Sequence, residues 1–416
     1  MEVTKHSTNI EQVDVLIIGA GPSGSVCGAL LNQAGVDVLI VEKQVFPRFS
    51  IGESLLPQSM VYLEKAGMLD SIEKAGYQFK NGAAFRDKQD YSTFDFRQKF
   101  STGPGTTFQV KRAEFDKRLA DCAESQGVKV RYQQEVVNID NSGERVLLEV
   151  ESVHGERYQI SANFVLDASG FGRVLPRLLE LEKPSSFPMR QSVFCHIEDN
   201  ISDPSYDREK ILVTVHPKNK DVWFWLIPFS DGNCSLGVVA EPKFFEQFDG
   251  TAEQILNSCL EQDEGLSKLL ENARIINQVN QINGYAADVS SLVGKNFALL
   301  GNAGEFLDPV FSSGVTIAVK SADLAASLLM KERAGESVCW QTDYAKPLKS
   351  GVDTFRVLVE AWYDGRLQDI IFYQQASDDV RAMVCSILAG YAWDDENPYV
   401  SKTQRRMDVL AQICKR

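Results

Sequence analysis

The sequence predicts a mixed α/β fold: a parallel-sheet domain assembled from separated pieces, an antiparallel sheet inserted between them, and a helical C-terminal region. Three observations predict it. Residues 13–43, VDVLIIGAGPSGSVCGALLNQAGVDVLIVEK, read as two short β-branched runs around a small-residue helix that ends near Gly35. Those lengths fit a β-α-β unit with a right-handed crossover. Residues 190–240 repeat with the period of antiparallel strands and turn at Asp231-Gly232. From about residue 340 the pattern is helical and rich in aromatics, including Trp340, Phe355, Trp362, Tyr363, Phe372, Tyr373, Tyr391 and Trp393.

The remaining elements follow in order. AEFDKRLADCAESQG (113–127) is an amphipathic helix closed by Gly127. Residues 128–167 alternate like strands and hairpins, with turn signals at NSGE and HGE. FVLDASGFG (164–172) is a buried strand running into a tight glycine turn, and residues 251–273 are helical. NFALLGNAGEFLDPVFSSGVTIAVKSADLAASLL (296–329) reads as strand, irregular loop, helix. Segments of the first kind of domain interleave with the inserted sheet. The expected division is therefore 1–75, 105–188 and 280–335 for the parallel-sheet domain, 76–104 and 189–279 for the insert, and 336–416 for the helical region.

The chain has 416 residues, and its acidic residues outnumber the basic ones 57 to 43, a net charge of −14. Such a surface repels nucleic acid and anionic membranes, so neither is an expected partner. Cys27, Cys122, Cys195, Cys234, Cys259, Cys339, Cys385 and Cys414 form no C-x-x-C pair and read as reduced, mostly core thiols. His6, His154, His196 and His216 have no metal-ligand spacing, and no metal is expected. The start, MEVTKHSTNI, lacks the apolar core of a signal peptide, and no run reads as long enough to span a bilayer. A cytoplasmic location is the expectation.

Gly19-Ala20-Gly21-Pro22-Ser23-Gly24 follows a strand and opens a helix. Its glycines allow a tight turn and close backbone approach to a pyrophosphate held at the helix N-terminus. Glu42 closes the next strand, placed to accept from a ribose diol. A lone G-x-G-x-x-G is weak; in this setting it predicts a Rossmann-like domain with a bound dinucleotide, without separating NAD from FAD.

Two further segments separate them by resemblance. DASGFG (167–172) and GNAGEFLDP (301–309) resemble the second and third FAD fingerprints of the flavoprotein monooxygenase superfamily. QVKRAEFDKRL (109–119) is similar to the segment in which an arginine, here Arg112, approaches the flavin. The resemblance implies FAD, with Asp167, Gly301, Asn302 and Asp308 among its contacts, and Lys43, Arg48, Ser50, Val136, Gly314 and Val315 beside them. Asn302 stands where the superfamily commonly has Asp.

WFWLIP (223–228) matches the W-x-W-x-I-P signature of flavin-dependent halogenases. FLDPVFSSG (306–314) matches their F-x-x-P-x-x-S-x-G signature at Phe306, Pro309, Ser312 and Gly314. PRFSIGESLLP (47–57) resembles their loop beside the flavin, and YQFKNGAAF (77–85) resembles the strand carrying their active-site lysine, here Lys80. Alternation puts Trp223 and Trp225 on one side of a strand. Their plain reading is core packing, and the role implied in the family is architectural: a stiff wall that keeps substrate from the flavin. Small and apolar residues surround Lys80, and a buried lysine has a lowered pKa and donates strong hydrogen bonds. Ser313 and Gly314 begin a helix whose amides suit a halide, and equally an ordinary N-cap.

Phe311 occupies the position of a glutamate in the tryptophan-specific branch, which argues against free tryptophan as substrate. The chain looks more like the phenol and pyrrole branch. The resemblance implies a two-component enzyme. A separate flavin reductase supplies FADH2, and O2 gives a flavin C4a-hydroperoxide. Chloride or bromide becomes hypohalous acid, which reaches Lys80. The implied substrate is a pyrrolyl group tethered to a peptidyl carrier protein. The alternatives are a free phenolic substrate, an FAD-dependent aromatic hydroxylase, and a flavin-dependent reductase of prenyl chains.

Overall fold

The computed structural model describes residues 10–284 and 286–415. Residues 1–9, with His6 and most of the segment tested for a signal peptide, lie outside the described residues.

The strand Glu11–Ile18 lies at the centre of a parallel sheet. Val38–Glu42 and then Lys129–Tyr132 pair on one side of it, Arg157–Asp167 and then Phe297–Leu299 on the other. Val38–Glu42 is buried at every position, because both faces of this sheet are covered. Helix Pro22–Gln33 packs between helices Arg112–Ser125 and Ser313–Arg333. Since these strands are parallel, their C-terminal ends gather at one edge, where loops carrying Gly19, Lys43, Ser169 and Gly301 emerge together.

The inserted sheet runs Arg274–Ile275, Gln191–Glu198, Asn233–Ala240, Trp223–Pro228, Lys210–Val215, Gly82–Asp87, Asp90–Asp95. It is not purely antiparallel: Lys210–Val215 and Gly82–Asp87 pair in parallel. Gly82–Asp87 arrives from a remote part of the chain, so no hairpin dictates its direction. Trp223–Pro228 is buried at every position. Trp223, Trp225 and Ile227 face the main core, while Phe224 and Leu226 join a second core under helices Ala252–Leu260 and Glu264–Leu269. A two-stranded ribbon, Gln78–Lys80 with Thr107–Gln109, carries Lys80.

Helices Lys346–Tyr363, Arg366–Phe372, Asp378–Leu388 and Thr403–Cys414 form the C-terminal region. Helix Ser313–Arg333 corrects one expectation, since its 21 residues are apolar enough to cross a membrane by length and composition. Two-thirds of its apolar window is buried inside the protein. Its buried Ala322, Ala325 and Ala326 allow close packing against Pro22–Gln33.

Candidate active site

A cavity of about 590 Å³ opens at the C-terminal edge of the parallel sheet. Gly19, Gly21, Pro22 and Ser23 form one part of its wall. Gly19 adopts φ +98°, and a Cβ there would sit 2.7 Å from the Ala168 carbonyl oxygen. At Gly24 a Cβ would sit 1.9 Å from the Gly19 carbonyl oxygen, so the helix can start this close to the strand only with glycine. Gly21 precedes helix Pro22–Gln33, whose N-terminal end lies at the cleft wall and suits an anion. The Glu42 carboxylate anchors the turn, accepting the Ala20 amide at 2.8 Å and the Gln44 amide at 2.9 Å.

Arg48, Ser50 and Arg112 form a second part. Asp116, buried completely and not singled out by the sequence, holds both arginines. Arg112 grips it bidentately at 2.7 and 3.0 Å, and Arg48 approaches to 3.4 Å. Arg112 also donates to the Ile51 carbonyl at 2.6 Å, fixing the 50–52 loop. The available signal was spacing: Arg112 and Asp116 sit four apart on one helix. Glu53, also on the wall, meets His196 Nε2 at 2.7 Å, a pairing between the 50–54 loop and the strand Gln191–Glu198 that no local pattern announces.

Trp223, Trp225 and Ile227 close the far side. The two indoles lie 5.9 Å apart and tilted by 48°. Gly237 on the neighbouring strand makes room for Trp225, since a Cβ there would come within 2.3 Å of the indole. Trp225 Nε1 donates to Ser235 Oγ at 3.0 Å.

Lys80 is wholly buried. Its Nζ donates to Ser54 Oγ and to the Leu55 carbonyl, both at 2.7 Å, and lies 5.4 Å from the Phe96 ring centroid. Burial lowers its pKa to about 7. Lys80 itself does not line the cleft; Ser54 does, and connects the two.

Residues 12–336 match the family described as FAD binding domain. The flavin-dependent halogenase gsfI of Penicillium aethiopicum is 30% identical over 377 residues, covering 83% of this chain and 70% of that protein. This chain belongs to the flavin-dependent halogenases. The halogenase is also similar to the 1H-pyrrole-2-carbonyl-(peptidyl-carrier protein) chlorinase of Pseudomonas fluorescens, with 28% identity over 373 residues, 84% of this chain and 83% of that one. The crystal structure of a flavoprotein/dehydrogenase from Cytophaga hutchinsonii superposes with a TM-score of 0.94 at 42% identity, covering 97% of this chain and 99% of that one.

The halogenase's cofactor is FAD, and the cleft fits it. Asn302 Oδ1 is buried at the wall with no hydrogen-bond partner among the described residues, an acceptor left for a ligand donor. The glycine turn leaves no room for side chains where the wall meets the helix. Glu42, Lys43, Val136, Gly314 and Val315 also stand on the wall, with Lys43 paired to Glu135 at 2.9 Å on the rim.

Several residues expected at the cofactor are turned elsewhere. Ala20 and Gly24 build the turn but do not line the cleft. Asp167 is fully buried and accepts the amides of Ser169 and Leu175 at 2.9 and 2.7 Å, so it ties its own loop; burial raises its pKa. Gly301 adopts φ +50° and donates its amide to Ser321 Oγ at 2.9 Å, packing against helix Ser313–Arg333. Asp308 faces the C-terminal helices, accepting from Val310 N at 3.0 Å and the Tyr363 hydroxyl at 2.8 Å. Its burial pushes its pKa up to about 6. In the segment expected to bind halide, Ser312 and Gly314 line the cleft while Ser313 is buried behind them.

Proposed function

We propose that this halogenase installs chlorine or bromine on a pyrrolyl group tethered to a peptidyl carrier protein, with Lys80 as the catalytic residue. The observation that carries this is Lys80 itself: a wholly buried amine tied to Ser54 on the cleft wall. The substrate class is supported by Phe311, which puts an apolar ring where a base would be needed for a less reactive substrate. It is also supported by the similarity to the pyrrole chlorinase over most of both lengths. An electron-rich ring loses its proton without such help.

FAD, when bound in its reduced form, would activate O2, and O2 would supply the oxidising equivalents that make the halogen electrophilic. Gly19, Gly21, Pro22 and Ser23 hold its phosphates, and Glu42, Lys43, Arg48, Ser50, Arg112, Val136, Asn302, Gly314 and Val315 complete its site. A separate reductase delivers FADH2, as the resemblance to the two-component halogenases implies. The amides at Ser313 and Gly314 hold the halide, favoured by the N-terminal end of a 21-residue helix. Lys80, with a pKa of about 7, hydrogen-bonds hypohalous acid and directs it at the ring. Trp223 and Trp225 keep bulk water and the ring away from the flavin side.

The test is mass spectrometry after incubation with FAD, a flavin reductase, O2 and bromide. It compares a pyrrolyl-loaded carrier with free pyrrole and phenol acids. Bromination of the loaded carrier is expected. Preference for a free phenol would move the substrate to the alternative, and an oxygenated product formed without halide would make the enzyme a hydroxylase. Lys80→Ala is expected to keep FAD binding and O2 consumption while product falls by about a hundredfold or more, the scale of a lost acid–base group. Normal halogenation by that variant would remove Lys80 from the mechanism.

A further inference from the structure

We infer that Tyr363 is a positioning residue that sets the spacing between the tryptophan wall and the turn that presents the halide-binding amides; this rests on the halide site proposed above. Three segments remote in sequence meet at its hydroxyl. Trp223 Nε1 donates to Tyr363 Oη at 3.2 Å, and Tyr363 Oη donates to Asp308 Oδ2 at 2.8 Å. The direction is forced, because an indole N–H can only donate and the phenol has one proton, which goes to the carboxylate. The other Asp308 oxygen accepts Val310 N at 3.0 Å and so caps the short turn Pro309–Phe311. That turn ends at Ser312, held at φ +56°, from which helix Ser313–Arg333 begins.

Trp223 on one side and Pro309, Ser312 and Gly314 on the other line the same cleft. Tyr363 joins the two sides from behind. Its ring is held in place: the Arg190 guanidinium carbon lies 3.7 Å from the ring centroid. Its neighbour Trp362 is wedged against Phe311 and Phe85, at centroid distances of 6.1 and 6.0 Å. Trp223 and Asp308 are both buried, so losing the hydroxyl leaves an indole N–H and a carboxylate oxygen each short of a partner. Both groups then shift to recover one, and the gap between wall and turn changes. The helical C-terminal region thereby controls a site built from the other two sheets.

Tyr363→Phe removes the hydroxyl and keeps the ring. On FAD-loaded protein, bromide is titrated without turnover, read by the perturbation of the oxidised flavin spectrum; FAD affinity is measured by flavin fluorescence. Under turnover, the KM for bromide is separated from kcat. The expected result is a rise of about tenfold in bromide Kd and KM, the scale of one hydrogen bond to a charged group. The kcat at saturating bromide and the FAD Kd stay within about twofold. Asp308→Asn, which keeps the shape and an acceptor for Tyr363, is the second variant, expected to weaken bromide binding in the same direction and by less. It decides the matter if Tyr363→Phe does not fold. Unchanged bromide binding overturns the inference, as does a loss of FAD affinity and kcat with no bromide effect. If wild-type protein binds bromide but makes no halogenated product, the proposed reaction fails while the bromide titrations still judge Tyr363. If wild type shows no bromide effect at all, both fail.

Discussion

Lys80 shows how much one residue is altered by where the chain puts it. Nothing but burial lowers its pKa, since the two groups that meet its Nζ, a hydroxyl and a carbonyl, are neutral. The sign of the stability effect follows. The unfolded lysine titrates near 10.5 and the folded one near 7, so between those values the unfolded chain binds more protons. Lys80 therefore costs most stability below pH 7, and the cost is relieved as pH rises toward 10.5. Lys80→Met carries no such titration. Its Tm relative to wild type should fall by a few degrees, at about 1 °C per kcal/mol for a chain of 416 residues, between pH 6 and pH 10 in thermal melts. A difference independent of pH would mean that the amine is solvated in the folded protein. Asp308 runs the opposite way: its raised value near 6 makes the folded state hold the extra proton, so its contribution weakens as pH rises from about 4 to 6.

At the scale of elements, the tryptophan wall is a property of two neighbouring strands. The pleat sends Trp223, Trp225 and Ile227 to one face of Trp223–Pro228, and Gly237 of Asn233–Ala240 leaves the space that Trp225 fills. Gly237→Ala places a methyl within 2.3–2.6 Å of the indole and must displace it. The expected cost is about 1–3 kcal/mol in denaturant unfolding, the usual range for overpacking a core. The displaced wall should also raise the share of reducing equivalents lost as hydrogen peroxide, measured against halogenated product. A variant as stable and as well coupled as wild type would show that the wall is soft. Local pattern announced the tryptophans and the glycine-rich turn because strand alternation and left-handed backbone are written in consecutive residues. It said nothing of the partner glycine, which lies on a different strand.

For the whole molecule, the helical region is part of the main core and not an appendage. Tyr344, Phe355 and Trp362 belong to the same cluster as Ile17, Leu166 and Trp223. The buried Tyr344 hydroxyl donates to the Leu299 carbonyl of the parallel sheet at 2.6 Å. A chain cut to residues 1–335 exposes all of that surface. It should show no cooperative unfolding transition and retain no flavin, by circular dichroism and gel filtration. A stable, flavin-binding fragment would make the C-terminal helices a separate domain.

The sequence by itself determined the Rossmann-like β-α-β unit, the glycine turn at Gly19–Gly24, the shared face of Trp223 and Trp225, and a lysine set among small apolar neighbours. Each depends on residues adjacent in the chain, through periodicity or backbone freedom. Only the tertiary structure decided that Asp167 and Asp308 turn away from the cleft, that Asp116 holds two arginines, that Ser54 lies between Lys80 and the cavity, and that Tyr363 joins the wall to the turn Pro309–Phe311. A polar side chain goes to whichever buried donor or acceptor lies within hydrogen-bond distance, and those partners are supplied by segments that meet only when the chain is folded.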